Sequence, residues 1–109
     1  MGKQKLETVE QLTEVLQNNE KVILLKHSLT CPISQEAYDE FNSFVEENEN
    51  VDSYFLYVQE ARPLSNYIAE QYEIKHESPQ ALVIENNQVK WHASHWKITS
   101  KSLAEALKK

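Results

Sequence analysis

Continuous apolar runs alternate along this chain with apolar residues at helical spacing, and the alternation predicts both strands and helices. Val22 to Leu25 is apolar without a break, which is typical of a strand buried on both faces, and this strand continues to His27. Tyr54 to Val58 and Ala81 to Ile84 predict two further strands. The predicted helices extend from the capping box Thr8-x-x-Gln11 to about Gln17, from Pro32 to Glu47, from Pro63 to about Tyr72, and from Thr99 or Ser100 through Leu107.

A two-residue turn at Asn86-Asn87 sets the direction of the last two strands. Asparagine tolerates positive φ, so this pair suits a tight turn into a fourth strand at about Gln88 to Ala93. Strands joined by such a turn are antiparallel, whereas strands joined by a helix are parallel. The element order α, β, α, β, α, β, β, α therefore predicts an α/β, thioredoxin-like fold. We expect a central mixed four-stranded sheet flanked by helices on both faces, in a single domain over residues 1–109.

Composition and charge narrow the classes of function. The chain has 109 residues with 40% hydrophobic and 26% charged content, which is ordinary for one globular domain. Its net charge of −6 argues against non-specific binding to the phosphate backbone of nucleic acids. No apolar run is long enough to cross a bilayer, and the first residues lack the apolar core of a secretory signal. One cysteine without a disulfide framework fits a reducing compartment, so we expect a cytoplasmic protein.

Cys31 lies between the end of the first predicted strand and the start of the following predicted helix. Pro32 suits the first helical turn, because its ring presets φ and its missing N–H would have had no partner there. The free backbone N–H groups at a helix start, and the positive end of its dipole, favour a thiolate over a thiol. A lone cysteine is more often a small buried apolar residue, but this context makes Cys31 the candidate nucleophile.

The motif around the cysteine is C-x-x-S, because Ser34 stands where dithiol redox proteins carry a resolving cysteine. No disulfide can form within this chain, so any redox cycle must pass through a mixed disulfide with another molecule. The hydroxyls of Thr30 and Ser34 could each donate to the thiolate. The alternatives are that Thr30 is a plain helix cap and that Ser34 is an ordinary first-turn polar residue.

Two basic side chains precede the motif. A cation at Lys26 or His27 would favour the thiolate and attract an anionic ligand. Adjacent strand residues face opposite ways, so one of the two could instead point to solvent.

His92 and His95 do not predict a zinc site. They are three residues apart, which on a strand puts them on opposite faces, and no second cysteine could complete the ligand set. We expect His95 and Trp96 to pack at the strand end near the last helix; the alternative is that the two line a groove.

Several short motifs together resemble a known family. They are Lys26-His27-Ser28, the string Thr30-Cys31-Pro32-Ile33-Ser34, Ser78-Pro79-Gln80, and Ala93-Ser94-His95-Trp96 followed by Ile98-Thr99. With these motifs the chain resembles, over nearly its whole length, the monothiol bacilliredoxin (YtxJ-like) family of the thioredoxin superfamily. The resemblance rests on the combination of C-x-x-S with Ser-His-Trp near the end, and not on C-x-x-S alone.

The resemblance implies both an activity and its partners. The activity is thiol–disulfide exchange that removes bacillithiol, a small thiol built from cysteine, glucosamine and malate, from S-bacillithiolated proteins. Bacillithiol is then a co-substrate rather than a bound cofactor, and a bacillithiol disulfide reductase system is a further partner. The resemblance also implies that Pro79 is cis and faces the thiol, and that the backbone of Ser78 pairs with the incoming chain. Lys26 and His27 would contribute to binding the malate carboxylates.

Two other functions compete with this one. Some monothiol glutaredoxins carry an iron–sulfur cluster between two copies of the protein and two small thiols. Such carriers usually have a glycine after the cysteine, where this chain has Pro32. The other alternative is a redox-inert adaptor that keeps the fold and uses its surface for partners, for which we would expect a buried and slow-reacting Cys31.

Overall fold

A five-stranded mixed sheet forms the centre of the computed structural model, which describes residues 3–30, 32–48 and 50–108. The strands lie in the order β1-β3-β2-β4-β5. Their bounds are β1 Gln4–Lys5, β2 Lys21–His27, β3 Asp52–Tyr57, β4 Gln80–Glu85 and β5 Gln88–Ser94. The helices are α1 Val9–Asn18, α2 Pro32–Glu47, α3 Arg62–Gln71 and α4 Ser100–Leu107, and a short 3₁₀ helix at His95–Lys97 precedes α4.

The sheet has the predicted directions and one additional strand. β2 and β3 are parallel, while β4 is antiparallel to both β2 and β5. The α/β, thioredoxin-like prediction is therefore confirmed, but the sheet has five strands rather than four because β1 pairs in parallel with the edge of β3. A two-residue strand is too short to show alternation, so the sequence pattern could not predict it.

Both faces of the sheet are covered, which explains the uninterrupted apolar run of β2. Leu24 packs with residues of α1 and α3, whereas its neighbour Leu25 packs with residues of α2 and α4. Both leucines are completely buried. A strand with a helical layer on each side needs apolar residues at every position, and this is the physical reason for the pattern.

The helix and turn signals in the sequence have the predicted geometry. Thr8 and Gln11 form a reciprocal capping box at the start of α1, and Thr99 caps α4. Asn86 and Asn87 form the β4–β5 turn with φ values of 53° and 62°, in the left-handed region that asparagine tolerates. Among the described residues, no helix combines the length and the apolar character needed to cross a membrane.

Candidate active site

The predicted nucleophile Cys31 lies outside the described residues, so the structure defines the site through the residues on either side of it. β2 ends at His27 and α2 begins at Pro32. The prediction that the cysteine falls between a buried strand and a helix start is therefore confirmed for its position in the chain. Its role as nucleophile stays a prediction.

Gln59, a residue that the sequence did not single out, holds the segment before the cysteine. Its side-chain Nε2 donates to Ser28 Oγ at 2.8 Å and to Thr30 Oγ1 at 3.3 Å. Its Oε1 accepts from the backbone N–H of Leu29 at 3.1 Å. One amide thus bonds to three consecutive residues. Gln59 is the second residue after β3, and the pairing of β3 with β2 brings it to this segment, so no local sequence signal could have identified it.

The two hydroxyls proposed to stabilise a thiolate both take part in this network as acceptors. Ser34 is completely buried, and its Oγ accepts from the backbone N–H of Ser28 at 3.3 Å. Thr30 Oγ1 accepts from Gln59. Each hydroxyl therefore accepts a hydrogen bond within the protein, and each keeps its own O–H for donation. Donation to Cys31 stays a prediction for both, as does the capping role of Thr30.

Replacing Gln59 by leucine is expected to loosen residues 28–30. Leucine has similar bulk but cannot make the three hydrogen bonds, so backbone amide exchange in this segment should become about tenfold faster. Hydrogen–deuterium exchange followed by mass spectrometry would measure the rate. The matched control is Gln35→Leu, because Gln35 is exposed on α2 and its amide bonds only to Asp39 among the described residues. Equal exchange of this segment in the Gln59 variant, the Gln35 control and the wild type would contradict the assignment.

Lys26 does not occupy the predicted place at the substrate surface. Its side chain is 0% exposed, and its Nζ donates to the backbone carbonyl of Ser65 at 3.1 Å and lies 3.3 Å from His76 Nδ1. Burial lowers the pKa of this amine from 10.5 to about 8. The predicted contact between Lys26 and malate carboxylates is wrong, because the amine is buried beneath α3 and is not exposed to a ligand at the surface. Lysine is rarely buried so fully, and strand alternation alone did not say which side it faces.

His27 lies on the opposite face, as alternation requires, and is also buried. Its ring stacks on Tyr38 with centroids 4.6 Å apart, and it is only 5% exposed. Burial lowers the pKa of His27, against smaller opposing effects from the Ser34 backbone and the charge of Asp39. The ring is therefore mostly uncharged at neutral pH, and His27 does not supply the cation that the sequence suggested.

The Ser78–Pro79 peptide bond is cis, as the resemblance implied. Pro79 is buried, and its carbonyl accepts from the backbone N–H of His95 at 3.1 Å. Glu77 Oε2 accepts a hydrogen bond from the Ser94 hydroxyl at 3.1 Å, and Glu77 Oε1 lies 3.7 Å from His95 Nδ1. The loop carrying the cis-proline is thus tied to the segment between β5 and α4. The predicted roles of Ser78 and Pro79 in holding an incoming chain stay predictions.

Trp96 is largely exposed rather than packed, and together with His95 it lines a groove, which was the alternative expectation. Its side chain is 74% exposed because the chain leaves β5 at Ser94 and turns through the 3₁₀ helix, where His95 has a φ of 55°. The groove has a volume of about 330 Å³ and lies between α2 and the β5–α4 connection. Its lining consists of Ile33, Glu36, Ala37, Asp39, Glu40, His95, Trp96, Ile98 and Thr99.

Comparison with known proteins agrees with this architecture. The family model described as "Monothiol bacilliredoxin BrxC" matches residues 4–103. A solved structure described as a candidate oxidoreductase with a thioredoxin fold is similar at 46% identity and a TM-score of 0.91, covering 96% of this chain and 93% of that one.

More distant solved structures share the fold alone. The thioredoxin of Fasciola hepatica has 14% identity and a TM-score of 0.78, with 96% of each chain covered. A thioredoxin pre-protein of Schistosoma mansoni has 14% identity and a TM-score of 0.77, covering 99% of this chain and 97% of that one.

The sequence motifs, the sheet topology and the cis-proline loop all agree with these similarities. The family match extends from β1 into α4 and therefore includes C-x-x-S, the cis-proline loop and the Ser-His-Trp segment. Because this match covers most of the chain, the protein belongs to the monothiol bacilliredoxin family.

Proposed function

We propose that this protein removes bacillithiol from S-bacillithiolated proteins by forming a mixed disulfide on Cys31. Family membership supports a redox function of the bacilliredoxin type. The observation that carries the finer proposal is the C-x-x-S motif between the end of β2 and the start of α2, with no second cysteine in the chain. A single thiol at such a junction can accept a small thiol but cannot resolve the resulting disulfide internally.

The proposed reaction consists of two thiol–disulfide exchanges. In the first, the Cys31 thiolate attacks the bacillithiol sulfur of the capped client, the client–bacillithiol S–S bond breaks, and the client leaves as a thiolate that takes a proton from water. In the second, the thiolate of another bacillithiol molecule attacks the mixed disulfide on Cys31. This step releases bacillithiol disulfide and regenerates the Cys31 thiolate. A bacillithiol disulfide reductase system then supplies the two electrons that return the disulfide to two thiols.

Within this mechanism the described residues hold the segment before Cys31 in place by hydrogen bonds, and they do not supply a positive charge to the thiolate. Gln59 and Ser34 bind the chain before the cysteine, and neither Lys26 nor His27 presents a cation at the surface. Activation of the thiol is then assigned to the start of α2, whose free N–H groups favour the thiolate. An exchange that ends with free client thiols needs a reducing compartment, so we place the activity in the cytosol.

Intact-mass measurement tests the proposal. Purified protein mixed with bacillithiol disulfide is expected to release one bacillithiol and to gain the mass of one bacillithiol less two hydrogen atoms, and later reduction with excess bacillithiol should remove this addition. Cys31→Ala serves as the control that detects non-covalent retention. A wild-type protein that stays unmodified, with its thiol shown to be reduced beforehand, would overturn the proposal.

A further inference from the structure

The groove beside Trp96 is apolar at its base and acidic at its edges. Its apolar lining is formed by Ile33, Ala37, Trp96 and Ile98. Three carboxylates, those of Glu36, Asp39 and Glu40, line it from exposed positions on α2. We call this surface, made of these residues with His95 and Thr99, the acidic groove.

The three carboxylates are not neutralised by basic side chains of the described chain. None of them forms an ion pair with a lysine or arginine within residues 3–30, 32–48 and 50–108. Glu40 Oε1 accepts from the backbone N–H of Ser100 at 2.7 Å, and Asp39 Oδ1 accepts from Gln35 at 3.0 Å. Both are neutral donors, so the negative charge of the groove is retained and is available to a partner.

One lining residue on each wall connects the acidic groove to the two loops of the candidate active site. Ile33, which lines it, is the second residue after Cys31. On the other wall, His95 donates its backbone N–H to the carbonyl of Pro79 in the cis-proline loop. A substrate whose disulfide reaches position 31 would therefore extend one of its two halves along this surface. An exposed tryptophan beside such a groove is typical of a recognition surface rather than of a packed core.

Charge decides which half of the substrate fits. The bacillithiol half carries the carboxylates of malate, which the like charges of Glu36 and Asp39 repel. The protein half can carry lysine or arginine, which those carboxylates attract and which the face of Trp96 can bind through a cation–π contact. We propose, on the basis of the proposed function, that the acidic groove binds the client polypeptide and selects clients with lysine or arginine beside the capped cysteine.

The test compares two peptides that differ only in charge. Each contains one cysteine capped with bacillithiol, flanked in one peptide by lysines and in the other by glutamates. Exposed ion pairs contribute about 0.2–1 kcal/mol each, so several of them should give the lysine peptide a kcat/KM about tenfold higher at low ionic strength. The ratio should fall towards one as salt is raised. Chromatographic measurement of the released free-thiol peptide gives both rates.

Variants assign the preference to this surface. The double variant Glu36→Gln with Asp39→Asn should reduce the lysine-to-glutamate ratio to about two or less, because exposed pairs of this kind supply the selection. The matched control, Glu46→Gln with Glu47→Gln, removes the same charge from exposed positions at the far end of α2 and should keep the ratio. It thereby separates a local contact from the effect of the overall charge of −6.

The outcomes distinguish this inference from the function on which it rests. Release from neither peptide would overturn the proposed removal of bacillithiol itself. Release from both at equal rates, or a preference that survives in the Glu36 and Asp39 variant, would overturn the docking surface and leave the activity standing. A variant that accelerates both peptides by the same factor would assign the groove to the bacillithiol half, which also overturns the inference.

Discussion

Replacing Cys31 by alanine is expected to slow the release of bacillithiol from a capped client protein by about 1,000-fold or more, to the uncatalysed rate. Cys31 is the only cysteine in the chain, so no neighbouring thiol can take over the exchange. Ser34, at the position of a resolving cysteine, carries a hydroxyl that does not exchange with disulfides at neutral pH. Mass spectrometry of the client, sampled over time with bacillithiol present, measures the fraction that has regained a free thiol.

A second substitution separates the chemistry from the packing. Cys31→Ser nearly preserves the volume of the side chain while replacing the thiol by a weak nucleophile, and we expect the same loss of rate. If either variant released bacillithiol as fast as the wild type, the exchange would not pass through this residue, and the proposed mechanism would be wrong.

Replacing Lys26 by methionine is expected to change how stability depends on pH. Methionine has a similar length and no charge, so at pH 7 it removes the cost of enclosing an ammonium group. We expect the variant to be as stable as the wild type at this pH or more stable, by up to about 2 kcal/mol. The reason is the location of Lys26, whose only described hydrogen-bonding partners are the Ser65 carbonyl and His76.

The direction of the pH effect follows from the lowered pKa. Burial lowers the pKa of Lys26 from 10.5 to about 8, so between these values the unfolded chain holds a proton that the folded protein has released. Raising the pH across this interval therefore stabilises the wild type relative to the methionine variant. The relative gain should be about 2 kcal/mol, which is less than the full shift would imply because relaxation around the amine reduces it.

Urea unfolding at several pH values between 7 and 10.5 measures the difference between the two proteins. Burial raises the pKa of Tyr54, Tyr57 and Tyr72, but these tyrosines are present in both proteins, so their effects cancel. Lys26→Ala is the control: it adds a cavity cost of about 2–4 kcal/mol, and its pH profile should run parallel to that of the methionine variant. Parallel profiles for wild type and methionine variant would show that Lys26 titrates as an ordinary exposed lysine.

Each side of the sheet contacts a different loop of the candidate site. On the side of α2, Ser34 and His27 are buried next to the segment that leads to the cysteine. On the side of α3, the Lys26 amine supports Ser65 and His76, just before the cis-proline loop. Both loops of the site therefore rest on polar contacts within the protein, and the proposed contact with a client falls to the carboxylates of the acidic groove.

The sequence by itself determined the elements and the family of this protein. Apolar periodicity and capping residues predicted β2, α2 and the Asn86-Asn87 turn, because burial on two faces, a helical stripe and positive φ each leave a local pattern. The short motifs, including C-x-x-S, were sufficient to indicate the bacilliredoxin family. All of these signals depend on residues that are close in the chain.

Only the tertiary structure decided which distant residues meet at the site. Gln59 reaches the segment before the cysteine through the pairing of β3 with β2, and Lys26 is enclosed because α3 covers that end of the sheet. Trp96 is exposed because the chain turns away after β5, and β1 is too short to leave a periodic signal. These contacts depend on how whole elements pack, and the sequence of a single strand or helix does not specify which element packs against it.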